Sequence, residues 1–257
     1  MGYTWDARVS KAQPAFEPQT AVIFLSRLGG ALMNAGNRPE ERQAGVLSGK
    51  DKAIASLRVD YLSGAMAHRL KYGGGRLQAL GRALGIKGKQ ELHVVDATAG
   101  LGRDAFIMAS LGARVTLIER SETMQILLQE GLEQCRQAGG EYAEIAGRMT
   151  LLCGDAKDLL PQLAPEVIYV DPMHPPRKSS ALVKLPLRQV RDIVGEDDDS
   201  AELMRVALAS AQKRTVLKWP LKARHMEGIR KPSHQILGKS TRYDVFISPV
   251  QPSAEAD

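Results

Sequence analysis

The stretch Leu92-His93-Val94-Val95-Asp96-Ala97-Thr98-Ala99-Gly100-Leu101-Gly102-Arg103-Asp104-Ala105-Phe106 joins a short apolar run to a helical segment through a turn holding two glycines. Leu92–Val95 has the length and composition of a strand buried on both faces, and a helix is expected over Arg103–Leu111. Glycines at such a turn let backbone approach a ligand closely, and the following helix N-terminus offers free N–H groups. The same pattern repeats downstream. Apolar runs at Val115–Ile118, Met149–Leu152, Val167–Val170 and Thr215–Lys218 alternate with helical stretches at Glu122–Gln137, Lys157–Leu163 and Ala201–Gln212. Alternation of this kind predicts an α/β fold of βαβ units, with right-handed crossovers laying helices on both faces of a parallel sheet. The pattern then breaks. Gln235–Leu237 and Tyr243–Ser248 are strand-like runs with no helix between them, which predicts a C-terminal antiparallel hairpin closing a seven-stranded, mostly parallel sheet.

The N-terminal part does not join this pattern. Pro14, Pro18 and Pro39, with glycines at 29, 30, 36, 45 and 49, cut it into short pieces. Ala53–Tyr61 reads as a strand with Val46-Leu47 as its partner. Gly73-Gly74-Gly75 reads as a hinge before a helix over Arg76–Leu84. The expected organisation is a small N-terminal subdomain over 1–75, the main domain over 76–250 and a frayed tail over 251–257.

Composition narrows the classes. With 44% apolar and 25% charged residues the chain is globular, so disorder is excluded. The apolar run Ala21–Leu25 is far short of a membrane span. Two cysteines, Cys135 and Cys153, make neither a disulfide framework nor a zinc quartet, so no metal is expected and a reducing cytoplasm is the expected compartment. Residues 172–250 carry 15 basic and 8 acidic side chains, net +7, so the rest of the chain is close to neutral. One-sided basic charge attracts polyanions, nucleic acid first among them.

Acidic residues stand in order at the strand ends. Asp96 follows the first strand, Glu119 ends the second, 23 residues on, and Asp155 follows the third. An acid ending strand two is the usual partner of ribose hydroxyls, and the carboxyl edge of an open α/β sheet is where ligands bind. Gly100 and Gly102 sit in the turn itself. Carboxylates around it, Asp96 and Asp104, would repel a pyrophosphate; they suit a nucleoside cofactor with a cationic centre. S-adenosyl-L-methionine carries a sulfonium, an ammonium and no phosphate.

The fourth strand ends in Asp171-Pro172-Met173-His174-Pro175-Pro176. This is similar to the Asp/Asn-Pro-Pro-aromatic loop of methyltransferases that act on exocyclic or amide nitrogens. Such nitrogens are poor nucleophiles because the lone pair is delocalised. A carboxylate (Asp171) and a Pro-fixed carbonyl (Pro172) accept the two N–H bonds, while a flat side chain at His174 stacks on the base.

Several longer blocks carry a resemblance to the small-subunit ribosomal RNA methyltransferase J family. They are Gly64-Ala65-Met66-Ala67-His68-Arg69, Gly73-Gly74-Gly75-Arg76, Gly85-Ile86-Lys87-Gly88, Val95 to Phe106, Asp171-Pro172-Met173, Ser180-Ala181-Leu182-Val183-Lys184 and Arg242-Tyr243-Asp244. The resemblance spans about residues 60–250. It implies a class I (Rossmann-like) S-adenosylmethionine-dependent fold that methylates N2 of a guanosine in 16S rRNA, guanosine 1516 in the family's rRNA numbering. It also implies cofactor contacts at Arg103-Asp104, Glu119-Arg120, Asp155-Ala156 and Asp171. The family's aromatic after Asp-Pro-Met is here His174, flat but titratable near neutrality.

The partner expected is 16S rRNA or the small ribosomal subunit. Arg69 and Lys71, beside His68 and Tyr72, are candidates to contact it. So are Lys178, Lys184 and Arg188, in the 26-residue link from His174 to Asp199, where a long connection argues for function. Three rivals stand beside this reading. One is nitrogen methylation of DNA adenine or protein glutamine. Another is an RNA-binding assembly factor with a vestigial donor site. The third is a nucleotide-dependent oxidoreductase.

Overall fold

A computed structural model of the chain describes residues 58–87, 91–172 and 199–249. Val46-Leu47, residues 53–57, Gly88, the link 173–198 with His174, Lys178, Lys184 and Arg188, and the tail 251–257 lie outside the described residues.

The chain runs α1 (Gly64–Tyr72), a 3₁₀ turn (Gly75–Leu77), α2 (Ala79–Leu84), β1 (His93–Asp96), α3 (Arg103–Ser110), β2 (Arg114–Glu119), α4 (Glu122–Ala138) and α5 (Gly140–Gly147). It continues with β3 (Met149–Cys153), α6 (Ala156–Leu163), β4 (Val167–Val170), α7 (Ser200–Ser210), β5 (Arg214–Pro220), β6 (His234–Leu237) and β7 (Thr241–Ile247). The strands form one sheet in the order β3-β2-β1-β4-β5-β7-β6. Pairing is parallel from β3 to β5, while β7 runs antiparallel to both β5 and β6. Among the described residues no helix is long and apolar enough to cross a membrane.

Strand periodicity deals the apolar residues into two cores. Val94, Val115, Leu117, Val167, Tyr169 and Val216 face one side, against Leu80, Leu84, Phe106, Leu128 and Ile145 of α2 to α5. Their neighbours Val95, Ile118, Ile168, Val170 and Leu217 face the other, against Leu160 of α6 and Leu203, Met204 and Ala207 of α7. Alternate Cβ atoms leave opposite faces of a strand, so a run apolar throughout must be covered on both. Val59, Tyr61 and Met66 pack into the first core too, so chain on both sides of residue 75 contributes to it.

Two local expectations are corrected. Residues 58–61 are not strand. Asp60 turns the chain there, its Oδ1 accepting from the backbone N–H of Leu62 (2.9 Å) and Ser63 (3.0 Å), a side-chain turn that competes with a ladder. Residues 64–72 form a helix, α1, which carries His68 and Arg69. The helix expected over Arg76–Leu84 is broken at Gln78, whose extended backbone (φ −61°, ψ 155°) leaves Leu77 in solvent and settles Leu80, Ala83 and Leu84 inside. Helix α5, for which no expectation was stated, begins at the Gly139-Gly140 pair.

The turn after β1 is locked from the N-terminal side. The Tyr61 hydroxyl donates to the Leu101 carbonyl (3.2 Å), and its ring stacks on Phe106 with centroids 4.5 Å apart. Gly102 (φ +64°) starts α3 under that ring, and a Cβ there would lie 2.2 Å from Tyr61 Oη and 2.8 Å from Leu128 Cδ2. Gly100 (φ +52°) is also left-handed, but its nearest atom, the Thr98 carbonyl oxygen, is 3.8 Å away. Gly100→Ala should therefore cost about 1–2 kcal/mol, the left-handed backbone alone. Gly102→Ala adds overpacking and should cost about 2–4 kcal/mol. Urea denaturation separates the two, and equal losses would mean that Tyr61 does not press on the turn.

Candidate active site

At the carboxyl ends of the parallel strands the loops enclose a cavity of about 380 Å³. The strand ladder runs into its floor: Ala97 N–H donates to the Tyr169 carbonyl (2.9 Å) and Ala99 N–H to the Ile118 carbonyl (3.2 Å). The 96–102 loop then curls on itself. Asp96 Oδ1 accepts from Thr98 N–H (3.1 Å), and Gly102 N–H donates to the Ala99 carbonyl (2.7 Å).

Each acid at the rim has a position set by its strand. Glu119 ends β2, and its carboxylate accepts from Gly100 N–H (3.0 Å) and Ser121 N–H (2.8 Å), binding the glycine turn to the neighbouring strand. Burial pushes its pKa up, and those backbone donors oppose the rise. Asp155 caps α6 by accepting from Lys157 N–H (2.8 Å), so the local reason for an acid there is the helix start. The same residue lines the cavity. Asp96 is 2% exposed; burial, with Asp104 and Asp171 nearby, pushes its pKa up to about 7 against the Thr98 bond.

Deeper in the wall lies a charge network that the sequence did not announce. Asp104 accepts from Arg69 of α1 (2.7 Å), from the Tyr169 hydroxyl of β4 (2.6 Å) and from Lys218 Nζ of β5 (2.7 Å). Burial alone would raise its pKa; Lys218 and Arg69 outweigh it and hold the carboxyl well below the usual range. Lys218 Nζ also donates to Asp171 Oδ2 (2.7 Å), and Asp171 N–H donates to Thr98 Oγ1 (2.7 Å). Burial raises the Asp171 pKa, Lys218 pulls it down and Asp104 adds to the rise, leaving it above the ordinary value. Among the described residues none donates to Asp171 Oδ1.

Of the residues expected at the cofactor, Asp96, Gly100, Arg103, Asp104, Glu119, Arg120, Asp155, Ala156 and Asp171 line this cavity, and so does Pro172. Gly102 sits behind it, under Tyr61. Arg69, expected to face RNA, reaches into the cavity and onto Asp104, whereas Lys71 is exposed, its ammonium 5.4 Å from the Tyr72 ring centroid. Thr98, Tyr169 and Lys218 went unnoticed. For Lys218 a signal existed: a lysine ends the otherwise apolar run Thr215–Lys218, at the same edge where the acids stand.

The sequence model of the family described as SAM-dependent methyltransferase matches residues 40–248 of this chain. Ribosomal RNA small subunit methyltransferase J of Brucella anthropi is 62% identical over 193 residues, covering 75% of this chain and 94% of that protein. The protein of the same name from Agrobacterium fabrum is 60% identical over 189 residues, 74% of this chain and 91% of that one. Among solved structures, a SAM-dependent methyltransferase of Neisseria gonorrhoeae matches with a TM-score of 0.59 and 33% identity over 78% of each chain. The class I sheet read from the sequence is the sheet found, and the methyl donor read from the carboxylates around the glycine turn is the family's cofactor.

Proposed function

We propose that this chain, which belongs to the SAM-dependent methyltransferases and within them to the ribosomal RNA small subunit methyltransferase J family, transfers a methyl group to the exocyclic N2 of a guanosine in 16S rRNA. One observation carries the reading. Asp171-Pro172, at the end of β4, opens into the same cavity as Asp96, Gly100, Glu119 and Asp155.

The residues present fit the donor. The volume, about 380 Å³, is within the range of small-molecule sites. The wall is rich in carboxylates, which favour a sulfonium and an ammonium and disfavour a pyrophosphate. Glu119 keeps lone pairs for ribose hydroxyls beyond the two it gives to backbone, and Asp155, at the same cavity wall, is the residue assigned to the adenine. Bound there, S-adenosylmethionine supplies an electrophilic methyl group on a sulfonium.

The rest is positioning by this chain. Asp171 Oδ1 and the Pro172 carbonyl accept the two N–H bonds of the target amine and aim its lone pair at the methyl carbon. On taking the methyl group, whose bond to sulfur would break to leave a neutral thioether, N2 sheds one proton, for which Asp171 Oδ1 is the acceptor. His174 follows this loop and supplies a flat ring for the base. A stacked base does not present N2 to the donor, so the guanosine enters unstacked or flipped out. Lys71, Lys178, Lys184 and Arg188 are assigned to the phosphates around it, with the basic excess of residues 172–250 behind them.

The test is to incubate the protein with label in the donor's methyl group and either small ribosomal subunits or naked 16S rRNA, then map the label. Label on guanine N2 is expected. Label on an adenine or on a protein glutamine would overturn the substrate. Donor binding with no transfer to either RNA would favour an assembly factor, and calorimetric binding of NAD without the methyl donor would overturn the cofactor.

A further inference from the structure

Lys218 stands between two carboxylates of different character. On one side is Asp104, held by Arg69 and Tyr169 and therefore a fixed point. On the other is Asp171, whose Oδ2 takes the second Lys218 bond. The lysine is itself anchored. Its backbone is in the sheet, in register with Tyr243 of β7, and its side chain is 24% exposed. Asp171 is thus tied twice, through its N–H to Thr98 Oγ1 and through Oδ2 to the ammonium.

We propose that Lys218 is a positioning residue: by tying Asp171 Oδ2 to the Asp104 anchor it turns Oδ1 toward the cavity as the acceptor for the target amine. This rests on the assignment of Asp171 as that acceptor. The charge of Lys218 has a second consequence. The groups around Asp171 are Asp96 from β1, Asp104 from α3, Tyr169 from β4, Tyr243 from β7 and Lys218 from β5, with Arg69 from α1 behind Asp104. With Lys218 neutralised, three carboxylates converge and share protons. A protonated Asp171 is an uncharged, weaker acceptor and cannot take the proton that N2 sheds, so methylation is lost toward acid.

The experiment compares wild type, Lys218→Met and Lys218→Arg by single-turnover methylation across pH at saturating donor, with donor affinity measured by calorimetry. In donor-free protein, carbon-13 titration of the aspartate carboxyls gives an independent readout, with Asp171 assigned by its loss in Asp171→Asn. Removing an opposite charge at this distance shifts a carboxyl by about one unit or more. The acid limb and the Asp171 titration of Lys218→Met should both rise by that amount. Below both midpoints turnover should fall about tenfold for a one-unit shift and recover as pH is raised past the limb, with donor affinity changing far less. Lys218→Arg should bring both midpoints back toward wild type. Should Lys218→Met not fold, Lys218→Gln carries the same two readouts. A folded variant with a uniform, pH-independent loss, or with an unmoved Asp171 titration, overturns the proposal. If Asp171→Ala keeps turnover, the amine-acceptor reading fails first; if Asp171→Ala loses it while the limb of Lys218→Met stays put, the Lys218 assignment fails alone.

Discussion

Asp171→Ala will lose one to two decades in single-turnover methylation at saturating donor. The argument is a count of one bond. Oδ1 is the acceptor assigned to the amine, and a charge-assisted hydrogen bond missing from the transition state costs about 1.5–3 kcal/mol, where about 1.4 kcal/mol is a factor of ten. Asp171→Asn keeps an acceptor oxygen but no charge, and it releases Lys218 from its second partner, so it should fall between wild type and Ala. Donor affinity, measured separately, should drop less than turnover, because Asp96, Glu119 and Asp155 remain at the cavity wall. Near wild-type turnover in Asp171→Ala would make this residue a part of the strand-ending turn and end the nitrogen-positioning mechanism.

Asp104→Ala will be the most damaging single change to stability in the site. It leaves Arg69 without its carboxylate, Lys218 with Asp171 alone, and the Tyr169 hydroxyl without its acceptor. Removing one partner of a buried pair costs about 3–5 kcal/mol, because the remaining charge stays desolvated. For a domain of this size each kcal/mol is worth about 2–4 °C, so the melting temperature should fall by roughly 6–20 °C. Asp104→Asn retains an oxygen for Tyr169 and should lie between. The pH dependence has a definite sign. Asp104 is depressed in the folded protein, so its contribution is complete above the unfolded value, about 3.9, and fades as pH falls below it. The difference between wild type and Asp104→Ala should therefore be flat from pH 5 to 8 and shrink under more acid conditions. A loss of about 1 kcal/mol or less, typical of an exposed ion pair, would contradict the burial of this network.

The strands were legible because burial on both faces forces continuous apolar runs, and Val167–Val170 could scarcely be anything else. The acids were legible because they follow those runs directly. Helix α1 was not: Met66 is its one fully buried residue, and His68-Arg69-Leu70-Lys71 hides a 3.6-residue period. Helix α5 was masked by the two glycines that open it. The Arg69–Asp104–Lys218 network was out of reach for a different reason. Its members are 35 and 114 residues apart, and only the folded sheet brings them to one wall. Arg69 therefore read as a hand held out to RNA when its guanidinium is turned onto Asp104. The order β5-β7-β6 was likewise hidden, since a hairpin pattern does not say which of its strands meets the sheet.

That order has a consequence for how the protein is made. β6 precedes β7 in the chain yet sits outside it, at the sheet's edge, so until residues 241–247 leave the ribosome β5 has no partner on that flank. Translation delivers the glycine turn, Glu119, Asp155 and Asp171 early, and the strand that braces Lys218 late. A nascent chain paused before Thr241 would present the apolar face of an unpaired strand, open to a chaperone or to a second nascent copy. The cavity wall that carries Lys218 would therefore be braced only once β7 pairs with β5, after every other described strand has been made.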